Sequence, residues 1–468
     1  MKKVIVCVLL AVAAISFAKM NEKPLPVIDG VNSLRDNGNW VMKASNFPNP
    51  ATGIGYVDVV DENVAWAAGY DGSGGGAKIQ DFIRSVDGGN TWTPGTVPGA
   101  TGGSISMICA VSDMKAWVAI HTAPNAQGIY HTSDGGQTWE RQESANYNYP
   151  TSFPNVVHFF NENDGFCQGD GVDGYLECYT TTDGGANWTR VPEENLAPTL
   201  PGEWGVVGYY DAIGDNIWFS TNKGRVYRSS DKGYTWEASQ IEGNSDYTDV
   251  RFINPDHGIA GRFSNSSNGE IWETFDGGIT WASISFSGMK YHDHIDAVPG
   301  TENTWVSTGV NPENAGASYS FDGGHTWTSW DVMEGIQMLA MDWYNNTTGI
   351  VGDFNTDPNR GVFLFDGVLG TSGIDESAIT ANGFALVSNY PNPFNPETTI
   401  SFTLNNNENI NLSVYNSHGE KVSELASGEF KAGSHSVNFD GKDLASGVYY
   451  TKLSSVNGVV TSKMILVK

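Results

Sequence analysis

The octapeptide Thr132-Ser-Asp-Gly-Gly-Gln-Thr-Trp139 decides the fold of this 468-residue chain, because closely similar versions of it occur at six places. Every copy begins with Ser or Thr, has Asp third and Gly fifth, and ends in Trp. The aspartates are Asp87, Asp134, Asp183, Asp231, Asp276 and Asp322, and the tryptophans are Trp92, Trp139, Trp188, Trp236, Trp281 and Trp327. Successive aspartates are 47, 49, 48, 45 and 46 residues apart. A period of this length predicts a propeller or solenoid.

Each octapeptide has the composition of a tight turn. An Asp carboxylate can accept the backbone N–H two residues further on and close an Asx-turn, and Gly permits the positive φ that hairpin turns require. The Trp opens the next strand and offers a large apolar surface to a neighbouring unit. We therefore predict that the six aspartates and six tryptophans are structural and not catalytic.

The pattern S/T-x-D-x-G-x-T-W resembles the Asp-box, or BNR repeat, of sialidases, sortilin-type receptors, xyloglucanase-type glycosidases and photosystem assembly factors. The resemblance implies an all-β fold, a β-propeller of sialidase-like architecture, with each box between the third and fourth strands of a blade. Because enzymes, receptors and assembly factors share the box, it implies a fold and not a function.

The repeat predicts seven blades. Seven apolar strands, one per unit, are centred on Trp66, Trp117, Phe166, Trp218, Ile259, Trp305 and Ile350. The last is followed by an incomplete box at Asp366, which lacks the Thr-Trp ending. A replacement for that Trp stands near the other end, in Asn37-Gly-Asn-Trp40. We predict a propeller over residues 19–368 in which strand 39–46 closes blade seven and pairs otherwise open sheet edges.

Both ends of the chain differ from the repeat. Residues 1–18 contain Lys2 and Lys3, an apolar run and the ending Ser16-Phe-Ala18, which is typical of a secretory signal peptide. No other stretch is apolar enough to predict a membrane span. A Gly/Ser/Thr-containing linker is predicted at 369–384, and short alternating strands over 385–468 predict a small Ig-like β-sandwich.

The final 85 or so residues resemble the type A C-terminal sorting domain of the type IX secretion system. The motifs are Tyr390-Pro-Asn-Pro-Phe-Asn-Pro-Glu397, Leu444-Ala-Ser-Gly-Val-Tyr-Tyr450 and Lys463-Met-Ile-Leu-Val-Lys468. The resemblance implies that the type IX secretion machinery is a partner, and that the protein passes through the periplasm of a Gram-negative bacterium to be secreted or held at the outer cell surface. An ordinary Ig-like adhesion module is the alternative.

Charge and cysteine content narrow the classes of partner. A formal charge of −28 disfavours nucleic acid and anionic membranes. No Cys/His spacing resembles a zinc site, so we predict no metal and no cofactor; His292-Asp-His294 is more typical of a solvated loop. We expect Cys109 to be a buried free thiol. For Cys167 and Cys178, which flank a predicted hairpin, a cross-strand disulfide and two free thiols are both open in an exported protein.

Function is predicted on the face opposite the boxes, because the loops there differ from unit to unit and loops on a rigid scaffold commonly carry binding residues. The candidate ligand-binding residues are Tyr147, Tyr149, Asp170, Asp173, Trp204, Tyr247, Asp293 and Asp353. The preferred hypothesis is a non-catalytic surface protein that binds a glycan or protein ligand.

Two enzyme classes are alternatives. A sialidase needs three arginines around the substrate carboxylate and, by family resemblance, an Arg-Ile-Pro motif. That motif is absent, and of nine arginines only Arg262 and Arg360 are expected on the loop side, which disfavours a sialidase. A glycoside hydrolase with carboxylates about 5–9 Å apart stays open, with Glu203 and Asp246 added to the candidate aspartates.

Overall fold

The computed structural model describes residues 39–49, 51–73, 75–121, 125–262, 269–311, 314–330, 333–353, 361–370, 384–390, 394–404, 406–416, 421–455, 458–466 and 468. The predicted signal peptide and most of the predicted linker lie outside these residues. The chain separates into two compact units, Met1–Gly370 and Thr371–Lys468.

The described part of the first unit forms seven sheets, numbered here in chain order and each built on four antiparallel strands. The first strand, β1 (Asn39–Ala44), belongs to sheet 7. Sheet 1 contains β2 (Thr52–Val59), β3 (Ala65–Asp71), β4 (Asp81–Ser85) and β5 (Thr93–Thr96). Sheet 2 contains β6 (Ser104–Ala110), β7 (Ala116–His121), β8 (Gly128–Thr132) and β9 (Glu140–Gln142). Sheet 3 contains β10 (Pro154–Phe159), β11 (Gly165–Val172), β12 (Tyr175–Thr181) and β13 (Thr189–Arg190).

The remaining sheets repeat this order. A 3-10 helix, Glu193–Asn195, precedes sheet 4, which contains β14 (Gly205–Ile213), β15 (Asn216–Thr221), β16 (Arg225–Ser229) and β17 (Glu237–Gln240). Sheet 5 contains β18 (Thr248–Phe252), β19 (Gly258–Arg262), β20 (Ile271–Thr274) and β21 (Ala282–Ile284). Sheet 6 contains β22 (Ser287–Gly288), β23 (His294–Ala297), β24 (Trp305–Gly309), β25 (Gly316–Ser320) and β26 (Thr326–Ser329); the short β22 pairs parallel to β26. Sheet 7 contains β27 (Met338–Asn345), β28 (Thr348–Asp353), β29 (Gly361–Asp366) and β1.

Strand β1 joins the beginning of the described chain to the last sheet. It runs antiparallel to β29, with Asn39 opposite Asp366 and Ala44 opposite Gly361. The indole of Trp40, which is 1% exposed, packs edge-on against Trp330 at 5.4 Å between ring centroids. The outer edge of sheet 7 is therefore covered by a strand from the other end of the unit.

Each Asp-box forms the turn between the third and fourth strands of its sheet. In the copy at 132–139, the Asp134 carboxylate accepts the backbone N–H of Thr138 at 2.9 Å and its hydroxyl at 2.6 Å. The Thr132 hydroxyl accepts the N–H of Gly136 at 2.9 Å. The carboxylate thus reaches four residues forward, which corrects the expected two-residue Asx-turn. Two successive glycines with positive φ, at 135 and 136, curl the chain back over the carboxylate.

A second repeated hydrogen bond shows which turns share a face. The N–H of Gly88 donates to the carbonyl oxygen of Asn63, and that of Gly135 to Met114, both acceptors lying in turns between first and second strands. The equivalent donors in the other boxes are Gly184, Lys232, Gly277 and Gly323. The boxes and the first turns therefore lie on one face. The opposite face, called the loop face below, carries the loops between second and third strands and the connections between sheets.

The three cysteines of the described residues are buried and free. In the register of β11 and β12, Cys167 lies opposite Tyr179 and Cys178 lies opposite Gln168, so the two cysteines are offset by one residue and do not face each other. Because alternate residues of a strand point to opposite faces, Cys167 packs with the preceding sheet and Cys178 with the following one. The disulfide alternative is therefore wrong for this structure.

The second unit is a two-layer β structure. One layer contains β30 (Phe384–Tyr390), β31 (Glu397–Leu404) and β34 (Gly433–Asp440); the other contains β32 (Glu408–Asn416), β33 (Lys421–Phe430), β35 (Gly447–Ser455) and β36 (Gly458–Leu466). Apolar side chains from both layers, among them Phe402, Leu412 and Leu453, are buried in one cluster. The predicted all-β fold class is confirmed. Within the described residues, we find no helix with the length and apolarity needed to span a bilayer.

Candidate functional site

Three loops lie side by side on the loop face around sheet 3. The turn between β11 and β12 is the middle one. A Cβ on Gly169 would approach the Tyr147 ring to 2.6 Å, and a Cβ on Gly171 would lie 3.1 Å from the carbonyl oxygen of Glu203. The N–H of Thr199 also donates to the carbonyl of Gly174 at 2.8 Å. Glycine at these positions lets the connections on either side of the turn pack directly against it.

The predicted ligand-binding residues fall into an exposed and a buried group. The exposed or partly exposed residues are Tyr149, Asp173, Trp204, Tyr247 and Asp293. Tyr149 and Trp204 are large aromatic residues that are 41% and 39% exposed, and the neighbouring Leu200 is 43% exposed. The buried residues are Tyr147, Asp170 and Asp353. Because contact surfaces for large ligands are formed mainly by exposed side chains, the candidate surface narrows to the exposed group.

The backbone beneath Trp204 is held by a buried carboxylate. Glu203 has a side chain 0% exposed and pairs with Arg225 at 2.8 Å. It also accepts the N–H of Leu200 at 2.7 Å and the hydroxyl of Thr221 at 2.7 Å. Arg225 Nη1 additionally donates to the carbonyl of Pro198 at 3.0 Å. Trp204 therefore lies in a connection that is ordered by the contacts of Glu203 and Arg225.

The connection that contains Tyr149 is also ordered by hydrogen bonds, one of them to a buried carboxylate. The carboxylate of Glu177, a buried residue of β12, accepts the N–H of Asn148 at 2.9 Å. The N–H groups of Thr151 and Ser152 donate to the carbonyl of Asn148 at 2.8 and 2.9 Å. The Tyr149–Pro150 peptide bond is cis. Tyr149 thus projects from a compact turn and not from a free segment.

The loop-face carboxylates proposed for hydrolysis have structural partners. Asp170 accepts the side-chain amide of Asn155 at 2.9 Å, and burial raises its pKa to about 7. Asp246 pairs with Arg262 at 3.4 Å, and Glu203 with Arg225 as described. Asp293 accepts the N–H of Val310 at 2.7 Å. These contacts account for four of the six candidate acids without requiring a hydrolytic role; of the other two, Asp173 is exposed and Asp353 is buried.

The inner strands surround a polar cavity that the sequence did not lead us to expect. Its volume is about 230 Å³. Its ionisable lining residues are Tyr56, Asp58, His158, Tyr209, Tyr210, Asp211, Arg251, His294, Asp296 and Asp342. The sequence signal for the cavity is one polar residue within each of several apolar inner strands, as in Val57-Asp-Val59 and Val250-Arg-Phe252.

Several of these side chains link neighbouring sheets. The carboxylates of Asp342, Asp58 and Asp211 accept the N–H groups of Val59, Ala110 and Phe252, each on the next sheet around the ring. In the same position, Cys109 Sγ accepts the N–H of Phe159 at 3.3 Å. The repetition of one contact around the ring favours a structural role for the cavity carboxylates.

Charge in the cavity is dominated by these acids around a single arginine. Burial, together with the Asp342 charge, raises the pKa of Asp58, and burial raises that of Asp342 to about 6. Arg251 pairs with Asp249 at 3.1 Å and lies 3.6 Å from Asp296. Burial and the repulsion between these acids therefore both favour the uncharged form of the carboxyl groups relative to free aspartic acid.

A bulge in β14 extends across the cavity. Gly208 has φ 71°, and a Cβ there would lie 3.2 Å from Tyr56 of sheet 1 and 3.5 Å from the carbonyl of Ser106 in sheet 2. The hydroxyl of Tyr209 donates to the carbonyl of Asp293, next to sheet 6, at 3.1 Å. One segment of sheet 4 thus contacts three other parts of the ring. These contacts across the cavity further favour a structural role for it over a role as a ligand channel.

Both histidines of the His292-Asp-His294 segment are buried and Asp293 is partly exposed, which corrects the prediction of a solvated loop. His294 Nδ1 lies 2.9 Å from Asp249, and its Nε2 is 3.2 Å from the carbonyl oxygen of Met341. His292 faces sheet 5, where a Cβ on Gly269 would lie 2.9 Å from its Nδ1. Within the part of the chain that the structure describes, no three His, Cys, Asp or Glu side chains are arranged to hold a metal ion.

Comparison with known proteins gives two partial family matches. Residues 388–468 match the secretion system C-terminal sorting domain, and residues 124–245 match the photosynthesis system II assembly factor YCF48. No curated protein sequence matches significantly.

The similar solved structures are propellers. YCF48 bound to D1 peptide is 17% identical, with 72% of this chain and 100% of that chain covered and a TM-score of 0.51. YCF48 from Cyanidioschyzon merolae is 16% identical, with coverages of 70% and 98% and the same TM-score, 0.51. A Trypanosoma rangeli sialidase mutant displaying trans-sialidase activity is 12% identical, with coverages of 89% and 84% and a TM-score of 0.37. At these identities the likeness to the two YCF48 structures concerns the fold alone.

Proposed function

We propose that this chain, a BNR-repeat β-propeller that ends in a secretion system C-terminal sorting domain, is an exported protein that binds a protein ligand on its loop face. The sorting domain accounts for export through the type IX system to the cell surface or the medium. The propeller supplies the binding function. The proposed contact surface consists of Tyr149, Leu200 and Trp204 around sheet 3.

The observation that supports this function is the exposure of three large apolar side chains on loops that are already ordered. Aromatic residues are enriched at protein interfaces, and binding costs less when the contact loops are ordered in advance. The Glu203–Arg225 pair and the Glu177 contact supply that order. Leu200 favours a protein over a sugar, because its side chain has no ring face for stacking. YCF48, a propeller of the same fold, is known with a bound peptide.

A glycan is the second candidate ligand, because the exposed rings of Tyr149 and Trp204 offer faces on which sugars stack. The glycoside hydrolase alternative receives less support from the site. Four of the six acids considered for it, Asp170, Glu203, Asp246 and Asp293, are engaged with Asn155, Arg225, Arg262 or a backbone N–H group.

The test selects ligands for the full chain and then maps them. Peptides from a random display library and sugars from a glycan array are screened on wild-type protein, with product analysis for sugar release. Selected ligands are measured on Trp204→Ala, Tyr149→Ala and the matched control Tyr234→Ala. Tyr234 is 43% exposed but lies in an Asp-box on the opposite face.

We expect peptide ligands whose affinity falls at least about tenfold in Trp204→Ala and Tyr149→Ala, equivalent to about 1.4 kcal/mol, and is retained in Tyr234→Ala. Trp204-dependent sugar binding without peptide binding assigns the glycan class. Sugar release assigns the hydrolase. Ligands equally tight to all variants place binding elsewhere and overturn the proposed surface.

A further inference from the structure

Two buried basic side chains lie next to each other in the segment between β22 and β23. Lys290 is 2% exposed, and its Nζ donates to the carbonyl oxygen of Tyr291 at 3.2 Å. His292 is 8% exposed, and neither of its ring nitrogens has a hydrogen-bond partner. Among the described residues, no carboxylate forms an ion pair with Lys290. Burying an ammonium group without a directly paired carboxylate is costly, so this arrangement requires an explanation.

Two glycines make room for these nitrogens. A Cβ on Gly269 would lie 2.9 Å from Nδ1 of His292 and 3.4 Å from Nζ of Lys290, which places the two nitrogens no more than about 6 Å apart. A Cβ on Gly261 would lie 3.6 Å from the same Nζ. Glycine within or beside a strand commonly marks a place where a ligand or another backbone approaches closely. Any larger residue at 269 would crowd both nitrogens.

The nearby carboxylates are already engaged. Asp249 pairs with Arg251 at 3.1 Å and with His294 at 2.9 Å, and Asp293 accepts the N–H of Val310 at 2.7 Å. Burial lowers the pKa of Lys290 to about 8, despite the opposing charges of Asp249 and Asp293. Burial and the Lys290 charge lower the pKa of His292 to about 4. At neutral pH the pair thus consists of an ammonium group beside a neutral imidazole.

We infer that Lys290 and His292 bind the carboxylate group of a ligand that carries a single negative charge. The ammonium supplies the charge, and the imidazole N–H supplies a second donor for the other carboxylate oxygen. One lysine matches one charge, whereas a polyanion would be repelled by a chain with a formal charge of −28. The neighbouring Met289 is 37% exposed and the Glu270 side chain 54% exposed, so the pair lies just beneath the loop face.

Thermal unfolding of the full chain tests the site with acetate as the probe. Sodium acetate is compared at pH 7 with sodium chloride of equal ionic strength and with acetamide, a neutral molecule of nearly the same shape. A ligand that binds only the folded state raises the melting temperature. We expect acetate to raise it in wild-type protein and acetamide to leave it unchanged. Glucuronate against glucose, and acetylglycine against its amide, then distinguish a sugar acid from a peptide-type carboxylate.

The variants separate binding from a structural role. Lys290→Met removes the ammonium and keeps most of the volume, so we expect it to lose the acetate effect while melting in chloride at or above the wild-type temperature. His292→Leu should weaken the apparent acetate affinity at least threefold, and Lys223→Met, another lysine near the loop face, should retain it. The inference is overturned if acetate stabilises the wild type no more than acetamide does, or if Lys290→Met keeps the effect. Because this site is on sheets 5 and 6, Trp204→Ala should leave the acetate response unchanged, so its failure is separable from that of the proposed function.

Discussion

The Asp-box aspartate acts on the backbone of its own turn, although it lies at the surface. Asp134 accepts two hydrogen bonds from Thr138 and one from the Thr132 hydroxyl. Asp134→Ala should therefore lower the melting temperature by several degrees, because the turn loses its acceptors. Ligand affinity below the transition should be unchanged, since the box lies opposite the loop face. The adjacent Ser133→Ala is the control, and calorimetry is the measurement; lost affinity with unchanged melting would contradict a structural role.

Asp170 gives the propeller a pH-dependent stability with a defined sign. Burial raises its pKa to about 7, against about 3.9 in an unfolded chain. Between about pH 4 and pH 7 the Asp170 carboxyl group is protonated in the folded state and ionised in the unfolded chain. Its contribution to the free energy of unfolding is therefore complete below about pH 4 and is lost as pH rises through about 7. Asp170→Asn should therefore gain stability relative to wild type between pH 5 and pH 8. Urea unfolding at four pH values measures this, with Asp173→Asn on the same loop as control. A wild-type-minus-variant difference that does not change with pH would refute it.

Trp40 makes the main stabilising contacts of strand β1. Trp40 packs edge-on against Trp330, Trp343 and Phe365 at centroid distances of 5.4, 5.8 and 5.4 Å. Trp40→Ala should cost about 3–5 kcal/mol of unfolding free energy and expose the edge of β29. Met42→Ala, on the same strand but 41% exposed, should cost less than about 0.5 kcal/mol. Denaturant unfolding compares the two, and equal effects would mean that β1 does not stabilise the ring.

Turns and strands could be predicted from the sequence, because their signal lies in adjacent residues. The burial of single side chains could not, because it depends on residues that are distant in the chain. The boxes form turns between strands, and the strands centred on Trp66 and Trp117 lie within β-sheets, as the repeat indicates. The cavity residue Arg251 was missed, because its strand is short and only the convergence of seven inner strands turns its side chain inward. Tyr147 and Tyr149 are two positions apart in sequence, yet one is buried and the other exposed. That difference depends on Gly169 of β11, against which the Tyr147 ring packs.

The two units of the molecule have separate cores. The first unit contains the apolar clusters between its sheets, and the second buries its own cluster, including Phe402 and Leu453. The division falls at Gly370. Because each unit buries its own apolar side chains, each satisfies the main requirement for folding independently. The sorting signal of the second unit is then separable from the binding function that we propose for the first.

This separation predicts the behaviour of each half during export. Deleting 371–468 should leave a folded propeller that accumulates in the periplasm of a host with type IX secretion, because the matched sorting domain is missing. Fusing 371–468 to an unrelated periplasmic reporter should carry the reporter outside the cell. Cell fractionation with immunoblotting measures location, and limited proteolysis of the periplasmic form shows whether the propeller is folded. The control fuses a segment of equal length from the propeller, residues 205–302, to the same reporter. Normal export of the truncated protein, with a reporter that stays in the periplasm, would favour the adhesion-module alternative, because an Ig-like module without an address would be dispensable for transport.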